Sequence, residues 1–410
     1  MTMMNTSTNT SRVVGLDAHP DSFTATILSG LTPASAVVEK MFNKVPLGQL
    51  VQWAKKNTSA SDLIVLEASG NSFHIVRSLE SIGRKSKVLE SCHMGKLKEA
   101  HANNDKISAI RIGKAYLAGT AKIVWVPDQV TQERRDTFHA YSKSVRRSTQ
   151  LINRLKSFLS DHGVRLSNQG HPLNQENIIW QARQWSPRER LVIQGLFMEL
   201  RHAKEQQAHW NHLMAQEVLN DSLLLSLTRL TGVREIIAYS IGAIVGDINR
   251  FASPKKLVAY IGLNPAFDNS GEGEWKGGIK GHGRRDLRSY LIEAAQSILR
   301  SKHDLAKWGK KLMARKGSMK LAVAAIARKL AVAIWYLMKG SWSGVEEIDT
   351  AMKLKIGKMI SKMGKEGLTS IGKTRKAFRE EIEQNLRKGR EYFLKRIKSS
   401  PPNNVLTATS

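Results

Sequence analysis

The rhythm of apolar and polar positions changes once along the chain, near residue 128. Through residues 12 to 125, short β-like runs interleave with helical stretches, the pattern of a mixed α/β domain. VVGLD (13–17) predicts a strand, and FTATIL (23–28), with its alternating apolar positions, predicts a hairpin partner. DLIVLEASG (62–70) reads as a buried strand ending in a carboxylate. SFHIVRSLESIG (72–83) reads as an amphipathic helix closed by Gly83, and KVLE (87–90) supplies another strand.

Beyond that point the period becomes helical. Residues 133–164 place Val145, Ile152, Leu155 and Leu159 on one stripe among arginines. In residues 188–214, Ile193, Leu196, Leu200, Ala203, Gln207, Trp210 and Met214 step by three and four, a coiled-coil-like spacing that suits either an ordinary core stripe or a dimer seam. SLTRLTGVREIIAYSIGAIVG (226–246) has the form of a helix-hairpin-helix. In that device a tight turn presents backbone N–H groups to a phosphate, and small residues stand where Thr231 and Gly232 are. The second glycine usual in such hairpins is Arg234 here, so a plain helix pair is the alternative. The most apolar run, residues 321–338, carries Arg328 and Lys329 near its centre, which predicts a buried helix of a soluble domain rather than a membrane span.

Charge then narrows the partners. The 410 residues carry 64 Lys plus Arg against 35 Asp plus Glu, a formal net charge of +29, so the chain needs an external polyanion, and nucleic acid is the expected one. An anionic membrane surface is the other possibility for a basic chain with amphipathic helices. The single cysteine, Cys92, excludes a disulfide framework and a cysteine-rich zinc site. The Thr-rich start shows no signal peptide, and the expected location is the cytoplasm, in association with the nucleoid.

Two constellations can carry chemistry. Asp17 and Glu67 each end a predicted strand of one sheet, and Asp105 precedes a helix. Together they could offer hard oxygen ligands to Mg²⁺, although any one of them alone is commonly a turn or cap residue. Further on, Ser270 and Gly271 sit in a glycine-rich, Trp-containing loop between two helices, followed by Lys280, Arg284, Arg285 and Arg288 at a basic helix start. Glycines let backbone approach a phosphodiester, the cations can hold its charge, and the serine could act as a nucleophile, whereas the plainer reading is a loop that only grips phosphate.

The combination of VGLDAH, LEASG, the Asp105 segment, RFASPKKLVAYIGLNP, the Ser-Gly loop, DLRSYLIEAA and AIARKLAVAIWYLM resembles the transposases of the insertion-sequence 110 family, over residues 12 to 340. These are DEDD transposases related to the Piv DNA invertase, and members act as bridge-RNA-guided recombinases. The resemblance implies a RuvC-like (RNase H-fold) α/β domain at 12–127, a helical coiled-coil region at 128–220 and an α-helical domain at 221–340 with a helix-hairpin-helix and the catalytic serine. Residues 341–410 lie outside the resemblance and read as a basic helical extension with a disordered tail, either a helix that grips RNA or DNA or a plain solvated face. The resemblance also implies that Asp17, Glu67 and Asp105 match the first three acids of the tetrad, with Mg²⁺ as cofactor. Ser270 would match the nucleophile that forms a phosphoserine with DNA.

Donor and target DNA, a guide RNA and a homo-oligomeric assembly would be the partners. Two positions depart from the pattern: Ser108 stands where the fourth acid is expected, so the metal site would be weaker, recruit Asn104 or another oxygen, or be lost, and Gly281 stands where a lysine is common, with Lys280 one place early. The competing expectations are a RuvC-type metal-dependent nuclease, a Piv-like invertase without guide RNA, and a non-catalytic nucleic-acid-binding relative.

Overall fold

The computed structural model describes residues 12–91, 105–166, 170–268, 275–279, 282–340 and 349–386. It divides into two compact units, with the boundary between Asp128 and Gln129.

The first unit is built on a sheet of six strands, β1 (Val13–Ala18), β2 (Ser22–Ser29), β3 (Val37–Pro46), β4 (Leu63–Glu67), β5 (Lys85–Leu89) and β6 (Ile123–Val124), in the order β3-β2-β1-β4-β5-β6. β1 to β3 form an antiparallel meander, β1, β4 and β5 are parallel, and β6 runs antiparallel to β5. β1 and β4 read as continuous apolar runs because both faces of the sheet are covered. On one face Val14, Leu16, Ile64 and Leu66 meet Trp53 of α1 (Leu50–Asn57) and Ile75 and Leu79 of α2 (Ser72–Glu80). On the other, Val13, Val65 and Leu89 meet Ile112 and Ala115 of α3 (Asp105–Leu117). The predicted pairing of 13–17 with 23–28 is present, with Asp17 opposite Thr24.

The second unit begins with two long helices, α4 (Gln129–Asp161) and α6 (Pro187–Asn220), joined through the short α5 (Glu176–Gln181). Ser186 starts α6 with a reciprocal capping box: its hydroxyl accepts from the Glu189 N–H while the Glu189 carboxylate accepts from the Ser186 N–H. The apolar stripe on α6 is occupied within the chain. Ile193, Leu196, Leu200 and Ala203 pack with Leu151, Leu155 and Leu159 of α4 and with Trp185, while Met214 joins a larger core beside Phe138. Gln207 donates to the Ser144 carbonyl at 3.1 Å and to the Ser148 hydroxyl. Of the two readings open from spacing, the intrachain core is the one this fold uses.

That larger core gathers α7 (Ser222–Leu227), α8 (Glu235–Val245), α9 (Pro254–Ile261), α10 (Arg285–Leu299), α11 (Asp304–Lys316) and α12 (Met319–Met338). α12 is the one described helix long and apolar enough to cross a membrane, and its composition has a local reason: Val323, Ile326, Leu330, Ile334 and Leu337 are all buried in this core. α13 (Asp349–Ser370), kinked at Gly364, adds Met352, Ile356, Met359, Ile360 and Met363, and the helical residues 375–386 add Phe378 and Ile382. The described part of the expected C-terminal extension is therefore core, sharing one apolar cluster with residues 221–340.

Candidate active site

In the first unit, three side chains converge where β1 ends and α3 begins. Asp17 is the penultimate residue of β1, His19 follows that strand, and Asp105 opens α3. The His19 Nε2 lies 3.8 Å from Asp17 Oδ2 and 3.5 Å from Asp105 Oδ1, and the ligand atoms of all three residues lie within 4.8 Å of one another. That nitrogen is buried and makes no hydrogen bond. A buried polar atom without a partner is costly, and between two carboxylates either a proton on the ring or a divalent cation would satisfy it. Carboxylate oxygens suit Mg²⁺, and an imidazole nitrogen is a donor that transition metals take more readily.

Glu67 ends β4 one residue beyond Leu66, which pairs with Leu16, so it emerges at the same edge of the sheet as Asp17. Its carboxylate is not within the 4.8 Å group, so the structure brings together two of the three predicted acids and places the third on the adjoining strand end. His19 is the member that reading carboxylates alone misses, although it stands in the VGLDAH motif. Its loop is held by a hydrogen bond from the Asn71 side chain to the His19 carbonyl at 2.9 Å, which ties the chain after β1 to the chain after β4.

A glycine contact delivers Asp105 to this site. A Cβ on Gly15 would stand 1.9 Å from the Ala109 carbonyl oxygen, and one on Gly113 would stand 2.5 Å from the Leu28 side chain. Bare backbone at both positions lets α3 lie against β1 and β2. Ser108 is half-buried one turn along α3 from Asp105, on the same side of the helix. Asn104 lies outside the described residues.

In the second unit, the segment expected to be a loop between two helices contains an antiparallel hairpin, β7 (Pro265–Asp268) and β8 (Trp275–Ile279), with Asp268 opposite Trp275. Ser270 and Gly271 lie in the connection between these strands and, like Lys280 and Gly281, fall outside the described residues.

The three arginines that follow have separate tasks. Arg284 holds Asp286 through two hydrogen bonds, at 3.1 and 2.7 Å. Burial opposes charge on both groups, but the pairing outweighs it, keeping the Asp286 carboxyl below and the Arg284 guanidinium above their usual ranges. Arg288 donates to the carbonyls of Ile261, Gly262 and His282, fastening the end of α9 to the start of α10. Gly262 (φ +80°) allows this, since a Cβ there would sit 1.9 Å from the His282 carbonyl oxygen. Arg285 is exposed at the first position of α10.

The turn between α7 and α8 is packed as well as tight. Thr231 is buried, and Gly232 (φ +81°) faces α10 so closely that a Cβ would lie 2.8 Å from the Ala294 carbonyl. Lys355 of α13 reaches into the turn and donates to the carbonyls of Thr228, Leu230 and Val233 at 2.7, 3.1 and 2.7 Å. Next to it, Lys362 pairs at 2.5 Å with the buried Glu235. Burial would raise the Glu235 pKa, but that hydrogen bond outweighs it and the carboxyl titrates below its usual range. Beside the turn opens a cavity of about 550 Å³ lined by Tyr141, Arg146, Gly232, Arg234, Asp286 and Tyr290, among others.

Residues 225–309, which run from this turn through the hairpin to α11, match the sequence profile described as the Transposase IS116/IS110/IS902 family. The transposase for insertion sequence element IS1111A of Coxiella burnetii is 27% identical over 282 residues, covering 67% of this chain and 77% of that protein. A Pseudomonas aeruginosa protein named as a family 20 transposase is 24% identical over 286 residues, covering 67% of this chain and 83% of its own. A Sinorhizobium fredii protein named as a transposase, y4pF/y4sB, is 28% identical over 293 residues, 67% of this chain and 72% of that one. The family match falls on the packed turn, the hairpin and the arginine-fastened start of α10, the relatives extend the likeness well beyond it, and together these similarities support an IS110-family transposase.

Proposed function

We propose that this transposase cuts and rejoins DNA through the hydroxyl of Ser270, with a divalent cation, Mg²⁺ by preference, held at the pole formed by Asp17, His19 and Asp105 with Glu67 on the adjoining strand. The observation that carries the metal part is the His19 Nε2, buried without a hydrogen bond between two carboxylates. The family match across residues 225–309, which include Ser270, supports the strand-transfer part. The RuvC-like reading of the first unit is supported by the strand order, the antiparallel β2 and the acids at the adjoining ends of β1 and β4.

In this mechanism the Ser270 oxygen bonds to phosphorus, one P–O ester bond of the DNA breaks, and the released strand end keeps its hydroxyl after taking up a proton. Rejoining is the reverse: a strand-end hydroxyl attacks the phosphoserine, and Ser270 recovers its proton. The cation supplies charge stabilisation at the phosphate. The chain's own part is to hold that cation with Asp17 and Asp105, to fix their spacing by seating α3 on β1, and to brace the segment after Ser270 with the Arg284–Asp286 pair and the Arg288 staple. Arg285 and the turn at Thr231 and Gly232 would contact flanking phosphates, as would Gly271 and Lys280. Because serine and acids belong to different units of the chain, we place the working site in a homo-oligomer acting on donor and target DNA in the nucleoid. Sequence choice is delegated to a paired guide RNA.

The test is a denaturing gel of labelled DNA incubated with wild type and Ser270→Ala in Mg²⁺, with RNA transcribed from the flanks of the gene. A protein–DNA adduct present in wild type and absent in the variant is expected. Cutting that persists in Ser270→Ala without any adduct would replace the serine mechanism with metal-dependent hydrolysis at the acidic pole.

A further inference from the structure

Arginines of the second unit are mostly committed to partners. Arg134 bonds Glu217 and Asp221, Arg135 and Arg250 hold carbonyls at the end of α8, and Arg284 holds Asp286. Arg328, near the middle of α12, is an exception. It is half-buried, its Nε is shut off from solvent without a hydrogen bond, and no carboxylate pairs with it among the described residues. Burial is the sole influence on its titration and disfavours its charge. An arginine remains charged in any event, so a partly desolvated guanidinium without a counter-ion among the described residues is a standing electrostatic cost.

Its surroundings make a surface. Leu321, Ala325, Arg328, Val332, Trp335 and Lys339 step by four and three along α12, so they share one side of the helix. That side is half-open: Leu321 is exposed, and Ala325, Val332 and Trp335 are half-buried. Its far end is tied down, with the Trp335 indole donating to the Phe251 carbonyl at 3.1 Å and Lys339 to the Asn249 side chain at 2.7 Å. Arg328 alone on this side has a charge with nothing to meet it. The neighbouring Lys329 is spent over the Trp308 ring, 4.7 Å from its centre.

We propose that Arg328 receives a phosphodiester group of nucleic acid laid along this side of α12, a contact additional to those at the helix-hairpin-helix turn and the serine segment. A guanidinium grips two phosphate oxygens at once, and the low exposure of its Nε makes such a bond stronger than one at a fully hydrated lysine. Nucleic acid is favoured over an acidic protein segment because the chain has a surplus of 29 positive charges and its partners in recombination are polyanions. The proposal rests on the reading that this transposase holds nucleic acid, and not on the chemistry of Ser270.

The experiment uses the full-length chain and measures binding, without cutting, to labelled duplex DNA, single-stranded DNA and RNA over a salt series, for wild type, Arg328→Met and Arg328→Lys. For the nucleic acid that occupies the site, Arg328→Met should weaken binding roughly tenfold and lower the slope of log affinity against log salt by about one. Arg328→Lys should keep the slope while losing part of the affinity, because the charge remains and the two-pronged grip does not. Which of the three probes responds identifies the source of the phosphate. Without nucleic acid, Arg328→Met should unfold at the same temperature as wild type or a higher one, since a cost has been removed. Unchanged affinity and slope with all three probes overturns the proposal, and so does a lowered unfolding temperature in their absence, which would make Arg328 part of the fold. Loss of the serine adduct in a separate assay leaves these binding outcomes unaffected, so the two readings fail independently.

Discussion

At the scale of single residues, the site is defined by groups that would be unfavourable anywhere else. His19 Nε2 faces two carboxylates without a hydrogen bond, so His19→Ala should raise the metal concentration needed for half-maximal strand transfer by about 10- to 100-fold, as measured by Mg²⁺ and Mn²⁺ titration. The opposite change is available at Ser108, half-buried on the same side of α3 as Asp105, where Ser108→Asp should lower that concentration. Glu235 makes a stability prediction with a definite sign. Its folded pKa is depressed, so its pairing with Lys362 stabilises the fold above about pH 4.3, the ordinary glutamate value, and the contribution disappears as pH falls through the folded pKa. Glu235→Gln should therefore flatten the acid side of a stability-against-pH curve and cost about 3 kcal/mol at neutral pH, where it leaves Lys362 without its counter-charge. Asp17 and Asp105 were legible in the sequence because carboxylates at a strand end and a helix start are recognisable types in recognisable places. His19 was not, because a lone histidine after a strand acquires its meaning only when the helix start arrives beside it.

At the scale of elements, close backbone approach decides whether the acids meet. Gly15→Ala would push a methyl group to 1.9 Å from the Ala109 carbonyl, so α3 must move off β1. A loss of about 1–3 kcal/mol in unfolding free energy, together with loss of metal-dependent activity, is expected from denaturant titration and the strand-transfer assay. The β1–β2 hairpin, the existence of strands β4 and β5, and the two long helices could be read from periodicity, whereas the parallel direction of β4 and β5 came only with the structure. β3 could not, because an edge strand with mostly exposed side chains carries no alternation to detect. The β7–β8 hairpin escaped for a related reason: its short strands sit among glycines and polar residues that read equally well as loop. The seam on α6 shows the limit of spacing, which gives the stripe and leaves open what covers it, here α4 of the same chain.

At the scale of the whole molecule, the charge of +29 sets the terms of binding. If six to ten phosphates are contacted, affinity for DNA should fall about 10³- to 10⁵-fold between 50 and 200 mM salt, and a slope near zero would contradict the polyanion reading altogether. The two units are joined at Asp128–Gln129, which gives each its own core, and the acidic pole belongs to one while Ser270 belongs to the other.

The reach of α13 has a consequence for how such a chain can be inherited. Lys355 satisfies three carbonyls of the α7–α8 turn, and five apolar residues of α13 fill the core beneath it. The span 225–309 by which the family is recognised is thus not a cassette, because its interior is completed by Phe138 and Tyr141 upstream and by α13 downstream. Exchange of that span between homologues would graft a surface without its foundations. Lineages carrying this architecture should therefore drift as whole second units, with changes in the turn tracked by compensating changes at Lys355 and its neighbours more than a hundred residues away.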